Sequence, residues 1–193
     1  MKLYDFLFSY MEEFEYKQDI WHSVDLVKLD KQEKTKLWKL FVKTYSKDMY
    51  EDMIFGNSMT KFYNEYKNFF ILDIDGDKKM DAFIIYKTSG NYKKISILGS
   101  NKKAKRKLIT KLLDLLAQPG WFIEASLKVQ SVLAKNTSST VKPITNKKLI
   151  KKVLSKFSNK EIENIDDNGF YQRKVSNSGK IINKVMYGNV KDE

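Results

Sequence analysis

Three strand-like runs separated by tight-turn residues dominate the middle of the chain and constrain its fold more than any other feature. The runs cover residues 69–74, 82–86 and 92–98, and each is rich in isoleucine, phenylalanine or tyrosine. Residues 75–77 and 89–91 lie between them, and each of these segments has a central glycine that supplies the left-handed backbone of a tight hairpin. The pattern predicts an antiparallel meander of three strands.

The hydrophobic period changes directly after the meander. Apolar residues at helical spacing predict a helix over residues 104–116, and Pro119 with Gly120 ends it. Another strand-like run follows at residues 121–125. A strand, a helix and a strand in this order form a βαβ unit, which requires parallel pairing and a right-handed crossover. The sequence therefore predicts an α/β fold with a mixed, mostly antiparallel twisted sheet, a central βαβ unit and flanking helices.

The remaining segments complete one predicted domain over residues 1–193. Its N-terminal helical extension, residues 1–15, is interpreted as core cover, with a docking peptide as the alternative. A closing β-hairpin is expected within residues 169–188, through a turn at 177–180. The other expected elements are a strand at 20–29, a helix after Asp30, helices at 59–66, 127–135 and 146–157, and a polar loop at 136–143.

The composition excludes several classes of site. The chain has no cysteine, so a disulfide framework, a thiolate zinc site and a cysteine nucleophile are impossible. The 36 Lys and Arg residues against 24 Asp and Glu residues give a net charge of +12, which attracts anions such as nucleic acid, an acidic protein or a phosphorylated cofactor. An AT-rich genome would also produce this lysine excess. The sequence has no membrane-span pattern and no signal-peptide cleavage pattern, and we expect a cytoplasmic protein.

The element order resembles the GNAT (GCN5-related N-acetyltransferase) superfamily over about residues 20–188. Two segments carry the local resemblance, residues 94–106 leading into the central helix and residues 120–126 around the next strand. In that family the loop after the fourth strand holds the coenzyme A pyrophosphate, and the fifth strand splays away to admit the pantetheine. The resemblance implies acetyl-CoA (coenzyme A) as cofactor. The residues that would bind it are Ile97, Leu98, Gly99, Ser100, Asn101, Lys102, Lys103, Ala104, Lys105 and Arg106.

The cofactor loop departs from the family pattern Arg/Gln-x-x-Gly-x-Gly/Ala. Aligned on Ala104, the pattern has Gly99 at the Arg/Gln position and Lys102 at the glycine position, although glycine is what lets backbone amides approach phosphates closely. Cations nevertheless crowd the start of the helix, where the macrodipole disfavours them. A bound pyrophosphate would relieve this repulsion, and a solvated lysine-rich face is the alternative. The cations are Lys102, Lys103, Lys105, Arg106 and Lys107.

Acetyl transfer needs a base that accepts a proton from the amine and an acid that protonates the departing thiolate. Glu124, on the strand after the central helix, is the candidate base, acting directly or through water. Tyr171 is the candidate acid. Asp25 and Asp73 are further base candidates, and an ordinary exposed or paired glutamate is the alternative for Glu124.

Alternating aspartates at residues 73–77 also suggest a calcium loop. In the EF-hand register, however, Lys78 stands at the glycine position and Ile84 at the position of the bidentate glutamate. A hairpin turn is therefore preferred, and no metal site is predicted. The only histidine, His22, lacks a histidine or cysteine partner and is expected to serve in packing.

Aromatic and basic residues elsewhere suggest packing and surface roles. The tryptophans Trp21, Trp38 and Trp121 are expected in core or pocket walls. A basic helix is expected to be a solvated face, with an acidic-protein or nucleic-acid surface as the alternative. Its cations are Lys147, Lys148, Lys151, Lys152 and Lys156.

Three functional hypotheses follow from these observations. The first is a GNAT-fold acyltransferase that passes an acetyl group from acetyl-CoA to a primary amine of a small molecule or protein. The second, which the missing loop glycines favour, is a GNAT-like binding, inhibitory or head-assembly module without catalysis. With residues 120–126 and the terminal hairpin, the lysine-rich chain also resembles proteins of large tailed bacteriophages, which implies roles of this kind. The third is a basic nucleic-acid-binding protein.

Overall fold

A computed structural model describes residues 20–45, 56–75, 80–136, 138–157, 162, 164–174 and 181–192. The strands within these ranges are β1 (Ile20–Asp25), β2 (Phe70–Asp75), β3 (Ala82–Ser89), β4 (Tyr92–Ser100), β5 (Trp121–Ala125), β6 (Val141–Pro143), β7 (Phe170–Lys174) and β8 (Ile181–Asn189). The helices are α1 (Lys31–Thr44), α2 (Met59–Glu65), α3 (Lys105–Leu116), α4 (Leu127–Ala134) and α5 (Lys147–Ser155), with 3-10 turns at Leu26–Lys28 and Val190–Asp192.

All eight strands belong to one sheet in the order β1-β2-β3-β4-β5-β8-β6, with β7 beside β8. β4 and β5 pair in parallel, and the other neighbouring strands are antiparallel. Because α3 connects the parallel pair, the predicted βαβ unit and the mixed, mostly antiparallel sheet with flanking helices are confirmed. The order of the described elements is the order expected from the sequence.

Local sequence signals explain where the helices begin. Asp30 and Glu33 form a reciprocal capping box at the start of α1, in which each side chain accepts a hydrogen bond of 2.8 Å from the other residue's backbone amide. The Asn146 side chain caps the start of α5: its oxygen accepts hydrogen bonds from the backbone amides of Lys148 and Leu149. Both helices then present a buried apolar stripe to the sheet.

The two faces of the sheet carry different helices. One face packs against α3 and α4, and its core includes Ile123 and Ala125 of β5. On the opposite face, a core formed with α1 and α2 covers β2 and β3, and a separate core formed with α5 covers Phe122. Because side chains alternate along β5, Ile123 and Ala125 point toward α3, and Phe122 points toward α5.

Several sequence predictions need correction. The first strand ends at Asp25 rather than at residue 29, because Leu26 turns into the core and its amide donates to the Phe69 carbonyl. The predicted polar loop at 136–143 contains a short strand, since Val141–Pro143 pairs with the outer edge of β8 beyond the end of β7. The predicted helix at 1–15, most of the turn after Asp75 and the turn at 177–180 lie outside the described residues.

Two further observations concern the described residues alone. None of their helices has the length and apolarity needed to cross a membrane. They also contain no group of three or more His, Asp or Glu side chains able to hold a metal ion. Asp77 of the calcium alternative lies outside the described residues.

Candidate active site

The parallel strands β4 and β5 separate toward their carboxyl ends. Their pairing ends with Ile95 opposite Ile123, whereas β4 continues to Ser100 and β5 to Ala125. Beyond the last pair, β4 keeps β3 as a neighbour and β5 keeps β8. The two strands thus form an opening in the middle of the sheet, at the end where α3 begins.

A β-bulge accompanies this separation. Ile95 and Ile97 pair with successive residues of β3, so Ser96 has no partner on that strand. An extra residue of this kind bends its strand and increases the local twist. It also changes which face the following residues occupy, since Ile95 belongs to the core under α3 and Ile97 to the core under α1.

Asn101 shapes the loop between β4 and α3. Its amide donates to the Asp81 carbonyl at 2.9 Å, its side-chain amide donates to the Asp81 carboxylate at 2.6 Å, and its side-chain oxygen accepts from the Ala104 amide at 2.9 Å. The Ala104 amide is therefore engaged within the loop. α3 then begins at Lys105 without a side-chain cap and without an acidic residue in its first turn.

Gly99 meets a packing requirement of this loop. A Cβ atom at this position would lie 2.7 Å from the Phe83 ring and 3.0 Å from the Thr44 hydroxyl oxygen, which is too close for either contact. Gly99 is buried and its backbone is not left-handed. Glycine at this position admits Phe83 to the core under α1, so the chain has no room there for the arginine or glutamine of the family pattern.

Tyr45 reaches β4 beyond the last β4–β5 pair. Its hydroxyl donates to the Leu98 carbonyl at 2.9 Å and accepts a longer hydrogen bond of 3.5 Å from the Leu98 amide. Burial raises the pKa of Tyr45 to about 12, despite the opposing effect of the Leu98 hydrogen bond. One side chain from the end of α1 thus engages both backbone groups of a residue beside the opening.

A positively charged cleft lies against the first half of α3. Its volume is about 510 Å³, and four of its eight lining side chains are cations. The other lining residues supply apolar and polar contacts, and Asn136 contributes from beyond α4. The cleft therefore combines cationic groups with a small apolar part. The cations are Lys102, Lys103, Lys105 and Arg106, and the other lining residues are Ile109, Thr110, Leu113 and Asn136.

A second charged group, which we call the Glu124 cluster, lies on the opposite face of the sheet from α3. Glu124 is one residue past the last β4–β5 pair, and its side chain is only 10% exposed. One carboxylate oxygen accepts from Tyr171 at 3.0 Å and the other from Lys94 at 2.6 Å, while Arg173 donates to both. Lys184, paired with Tyr171 between β7 and β8, completes the cluster.

The charges in the cluster shift the ionisation of its members. Burial acts to raise the pKa of Glu124, but the charges and hydrogen bonds of Lys94 and Arg173 outweigh it and hold the pKa below its ordinary value of 4.5. Burial, followed by the Glu124 charge, raises the pKa of Tyr171. Burial lowers the pKa of Lys184 against the opposing charge of Glu124, and the charges of Arg173 and Lys94 also lower it. Glu124 is thus a carboxylate and Tyr171 a phenol at neutral pH.

The structure separates the sequence-predicted site residues into groups. Glu124 and Tyr171 are brought into direct contact, and the cationic part of the cofactor loop lines one cleft. Asp25 and Asp73 lie on β1 and β2, which β3 separates from β4, and Asp25 forms a 2.7 Å ion pair with Lys28. The two strands that carry these aspartates therefore lie away from the β4–β5 opening.

Sequence reasoning missed Lys94, Arg173, Lys184 and Tyr45. One signal in the sequence could have revealed Lys184. It lies between Ile182 and Met186 at alternate positions of one predicted strand, so the three side chains share a face, and Met186 on that face is buried. A lysine on such a face needs a reason other than solvation. The contacts of Lys94 and Arg173 depend on β7 and β4 approaching β5, which the local pattern does not specify.

The other sequence-predicted residues take up packing and surface positions. Trp121 is buried in the core under α3, and Trp38 stacks on Phe41 with ring centroids 5.5 Å apart, so the packing prediction for these two is confirmed. The side chain of His22 lies outside the described residues. The five lysines of the basic helix are exposed, and Lys147 pairs with Asp167 at 2.8 Å; nucleic-acid binding by this helix stays a prediction.

No family model matches the sequence, and no curated protein matches it. Solved structures do resemble the fold. Ribosomal-protein-S18-alanine N-acetyltransferase from Escherichia coli is 12% identical with a TM-score of 0.49, covering 89% of this chain and 94% of that one. An acyl-CoA N-acyltransferase from Pseudomonas aeruginosa is 12% identical with a TM-score of 0.49, covering 88% and 98%.

A third similar structure contains a ligand. It is the PaiA N-acetyltransferase from Thermoplasma acidophilum in complex with coenzyme A, 13% identical with a TM-score of 0.43, covering 88% of this chain and 99% of that one. At these values the similarities concern the course of the chain. An activity for the present protein has to be argued from the residues of its own site.

Proposed function

We propose that the protein is an N-acyltransferase that moves an acetyl group from acetyl-CoA to a primary amine. The observation that carries this proposal is the opening between β4 and β5 next to an uncapped, cation-rich start of α3. An open strand edge offers backbone groups to the amides of pantetheine. A helix start with nearby cations suits a pyrophosphate. The resemblance in element order adds to this argument.

The residues lining the α3 cleft fit the cofactor by charge and polarity. Lys102, Lys103, Lys105 and Arg106 would hold the phosphates, and Ile109 with Leu113 gives the cleft an apolar part for the adenosine. Bound acetyl-CoA would supply an acetyl thioester. The loop amides contribute less than in the family pattern, because Ala104 donates to Asn101 and Lys102 replaces a glycine.

The reaction forms a bond between the amine nitrogen and the acetyl carbon and breaks the carbon–sulfur bond of the thioester. The amine loses one proton and the thiolate gains one, so no oxidant or reductant is needed. Tyr171 as the acid stays a prediction. Its raised pKa keeps it protonated at neutral pH but also makes it a weaker acid, and its hydroxyl donates to Glu124 in this structure.

Glu124 as the base also stays a prediction. A lowered pKa makes a carboxylate a weak base, and the four hydrogen bonds that Glu124 accepts already occupy both oxygens. We propose that its larger contribution is positional, holding Tyr171, Lys94 and Arg173 beside the opening. In that case Glu124→Gln lowers the rate without removing the acidic limb of the pH–rate profile, whereas loss of the catalytic base would remove that limb.

Calorimetric titration with acetyl-CoA tests the cofactor site. We expect binding that weakens at least about tenfold in the triple variant Lys102→Ala, Lys103→Ala, Arg106→Ala, since a hydrogen bond to a charged group contributes about 1.5–3 kcal/mol and 1.4 kcal/mol is about a factor of ten. The matched control removes the same charge from exposed positions of α5 and its C-cap. It is the triple variant Lys148→Ala, Lys151→Ala, Lys156→Ala.

The result against the proposal is absence of binding at millimolar acetyl-CoA, or an equal loss in both triple variants. Equal loss would mean that net charge alone attracts the cofactor. Dephospho-coenzyme A and ATP serve as comparison ligands and separate recognition of the whole cofactor from recognition of any polyphosphate.

A GNAT-like binding module without catalysis is the second candidate. Tyr45 engages both backbone groups of Leu98 beside the opening, and Lys102 fills the glycine position of the loop. Both features reduce the access of a cofactor to the backbone. This candidate predicts no acetyl-CoA binding and co-purification of a protein partner, as an inhibitory or head-assembly role in a phage would require.

A further inference from the structure

The Glu124 cluster contains more positive than negative charge. Lys94, Arg173 and Lys184 surround one carboxylate, and the side chains of Lys94 and Arg173 are only 13% and 17% exposed. Positive charge that is poorly solvated and incompletely paired is unfavourable. A second anion would remove the imbalance, and the described residues supply none at this place.

The unused hydrogen-bond donors of the cluster also indicate that it can bind a second anion. A lysine ammonium has three N–H donors and an arginine guanidinium five. Lys94 gives one hydrogen bond to Glu124, and the bonds from Arg173 come from a single nitrogen. Lys184 makes no hydrogen bond or ion pair within the described part of the chain, although it lies in the field of Glu124. Several cationic donors are therefore available to a ligand.

The position of the cluster connects these donors to the opening. Glu124 directly follows the last β4–β5 pair, and its side chain is on the face opposite α3 and the cationic cleft. A donor that occupied the cleft and reached through the opening would present its acyl group toward this second face. An acceptor approaching from that side would meet Lys94, Arg173 and Lys184.

We propose that the acceptor amine carries an anionic group, a carboxylate or a phosphate, which binds Lys94, Arg173 and Lys184 of the Glu124 cluster. This inference rests on the acyltransferase function proposed for the protein. The cluster then selects acidic amines over neutral amines and polyamines. The anion adds the negative charge that the cluster lacks, and Glu124 keeps the three cations in place.

Calorimetric titration with matched amines tests the inference without depending on turnover. The probes are 4-aminobutanoate, its neutral amide 4-aminobutanamide, and 4-aminobutylphosphonate, each added with and without coenzyme A. We expect an acidic amine to bind at least ten times more tightly than the amide. The order of the carboxylate and the phosphonate identifies which anion the site prefers. Equal affinities for all three, or no binding at millimolar concentration, overturn the inference.

Lys184→Met is the most informative variant, because Lys184 makes no hydrogen bond within the described residues and its loss leaves Glu124 paired. We expect the variant to bind the acidic amine at least ten times more weakly. The control Lys151→Met, at an exposed position of α5, leaves the affinity unchanged. Unaltered affinity in Lys184→Met contradicts the proposal.

The two proposals fail differently. If acetyl-CoA binds and the protein does not prefer acidic amines, the acyltransferase function stands and the acceptor class is wrong. If acidic amines bind selectively and acetyl-CoA does not, the anion site stands and the acyltransferase function is wrong.

Discussion

Replacing Glu124 by glutamine tests whether the cluster holds β4, β5 and β7 together. The carboxylate accepts hydrogen bonds from Lys94, Tyr171 and Arg173, which lie on β4 and β7. Glutamine keeps the volume but removes the charge, and its amide nitrogen would face a cationic donor. Three cations would then share a poorly solvated space without a counter-ion.

The expected cost follows from this geometry. Removing one partner of a buried ion pair destabilises a protein by about 3–5 kcal/mol, because the other charge stays behind. Glu124, Lys94 and Arg173 are all less than one-fifth exposed, so solvent screens this loss only slightly. We therefore expect Glu124→Gln to lower the free energy of unfolding by about 3–5 kcal/mol, measured by urea denaturation at pH 7 with circular dichroism.

Lys184→Met is the matched comparison. A lowered pKa in the folded state means that folding disfavours the charged form of Lys184, so removing the charge at neutral pH leaves stability unchanged or raises it. A loss in Lys184→Met as large as that in Glu124→Gln would refute the charge-imbalance argument. A change below about 0.5 kcal/mol in Glu124→Gln, the usual range for surface substitutions, would refute the structural role of the carboxylate.

The stabilisation that Glu124 contributes should depend on pH. Because the folded pKa of Glu124 lies below its ordinary value of 4.5, its stabilisation is fully present above that value and is lost as the pH falls through the folded pKa. The difference in unfolding free energy between the wild type and Glu124→Gln should therefore be constant near neutral pH and should shrink below pH 4.5. A difference that grows on acidification contradicts the assignment.

The remaining predictions concern the β4 edge. Gly99→Ala should destabilise the protein by about 1–3 kcal/mol through overpacking, since the new methyl group would lie 2.7 Å from the Phe83 ring. Urea denaturation measures this loss. An unchanged denaturation midpoint would show that the Phe83 ring moves aside without cost. Tyr45→Phe should lower the free energy of unfolding by about 1 kcal/mol, because it removes the hydrogen bonds to Leu98. The same change frees both backbone groups of Leu98 and should strengthen acetyl-CoA binding, measured by calorimetry. Weaker binding would mean that Tyr45 helps to hold the cofactor.

Most of the fold could be predicted because its signals are local. The change from strand alternation to helical spacing after β4 fixed the βαβ unit, and β5 begins and ends at the predicted residues. Gly120, with a φ of +79°, ends the connection after α3. β6 was missed because Val141–Pro143 has only one buried residue and is held as a strand by β8, a contact between distant parts of the chain.

The site was less predictable for the same physical reason. The sequence predicts Glu124 and Tyr171 as candidates independently of each other. Their partners Lys94 and Arg173 resemble any other lysine or arginine on a strand until the pairing of β7 with β8 is known. Gly99 was interpreted through a cofactor pattern, whereas its structural requirement is contact with the Phe83 ring. Residue type and spacing identify candidates, but their partners depend on strand order.

The position of the charge, more than its total, favours a functional interpretation of the basic composition. Compositional drift would add lysine mainly where solvent accepts it, as on the exposed face of α5. It does not explain why Lys94, Arg173 and Lys184 share one carboxylate in a poorly solvated cluster, since an excess of positive charge there reduces stability. The Glu124 cluster and the α3 cleft lie on opposite faces of the sheet. If the protein joins an anionic donor to an anionic acceptor, positive charge on both faces offsets the repulsion between the two substrates.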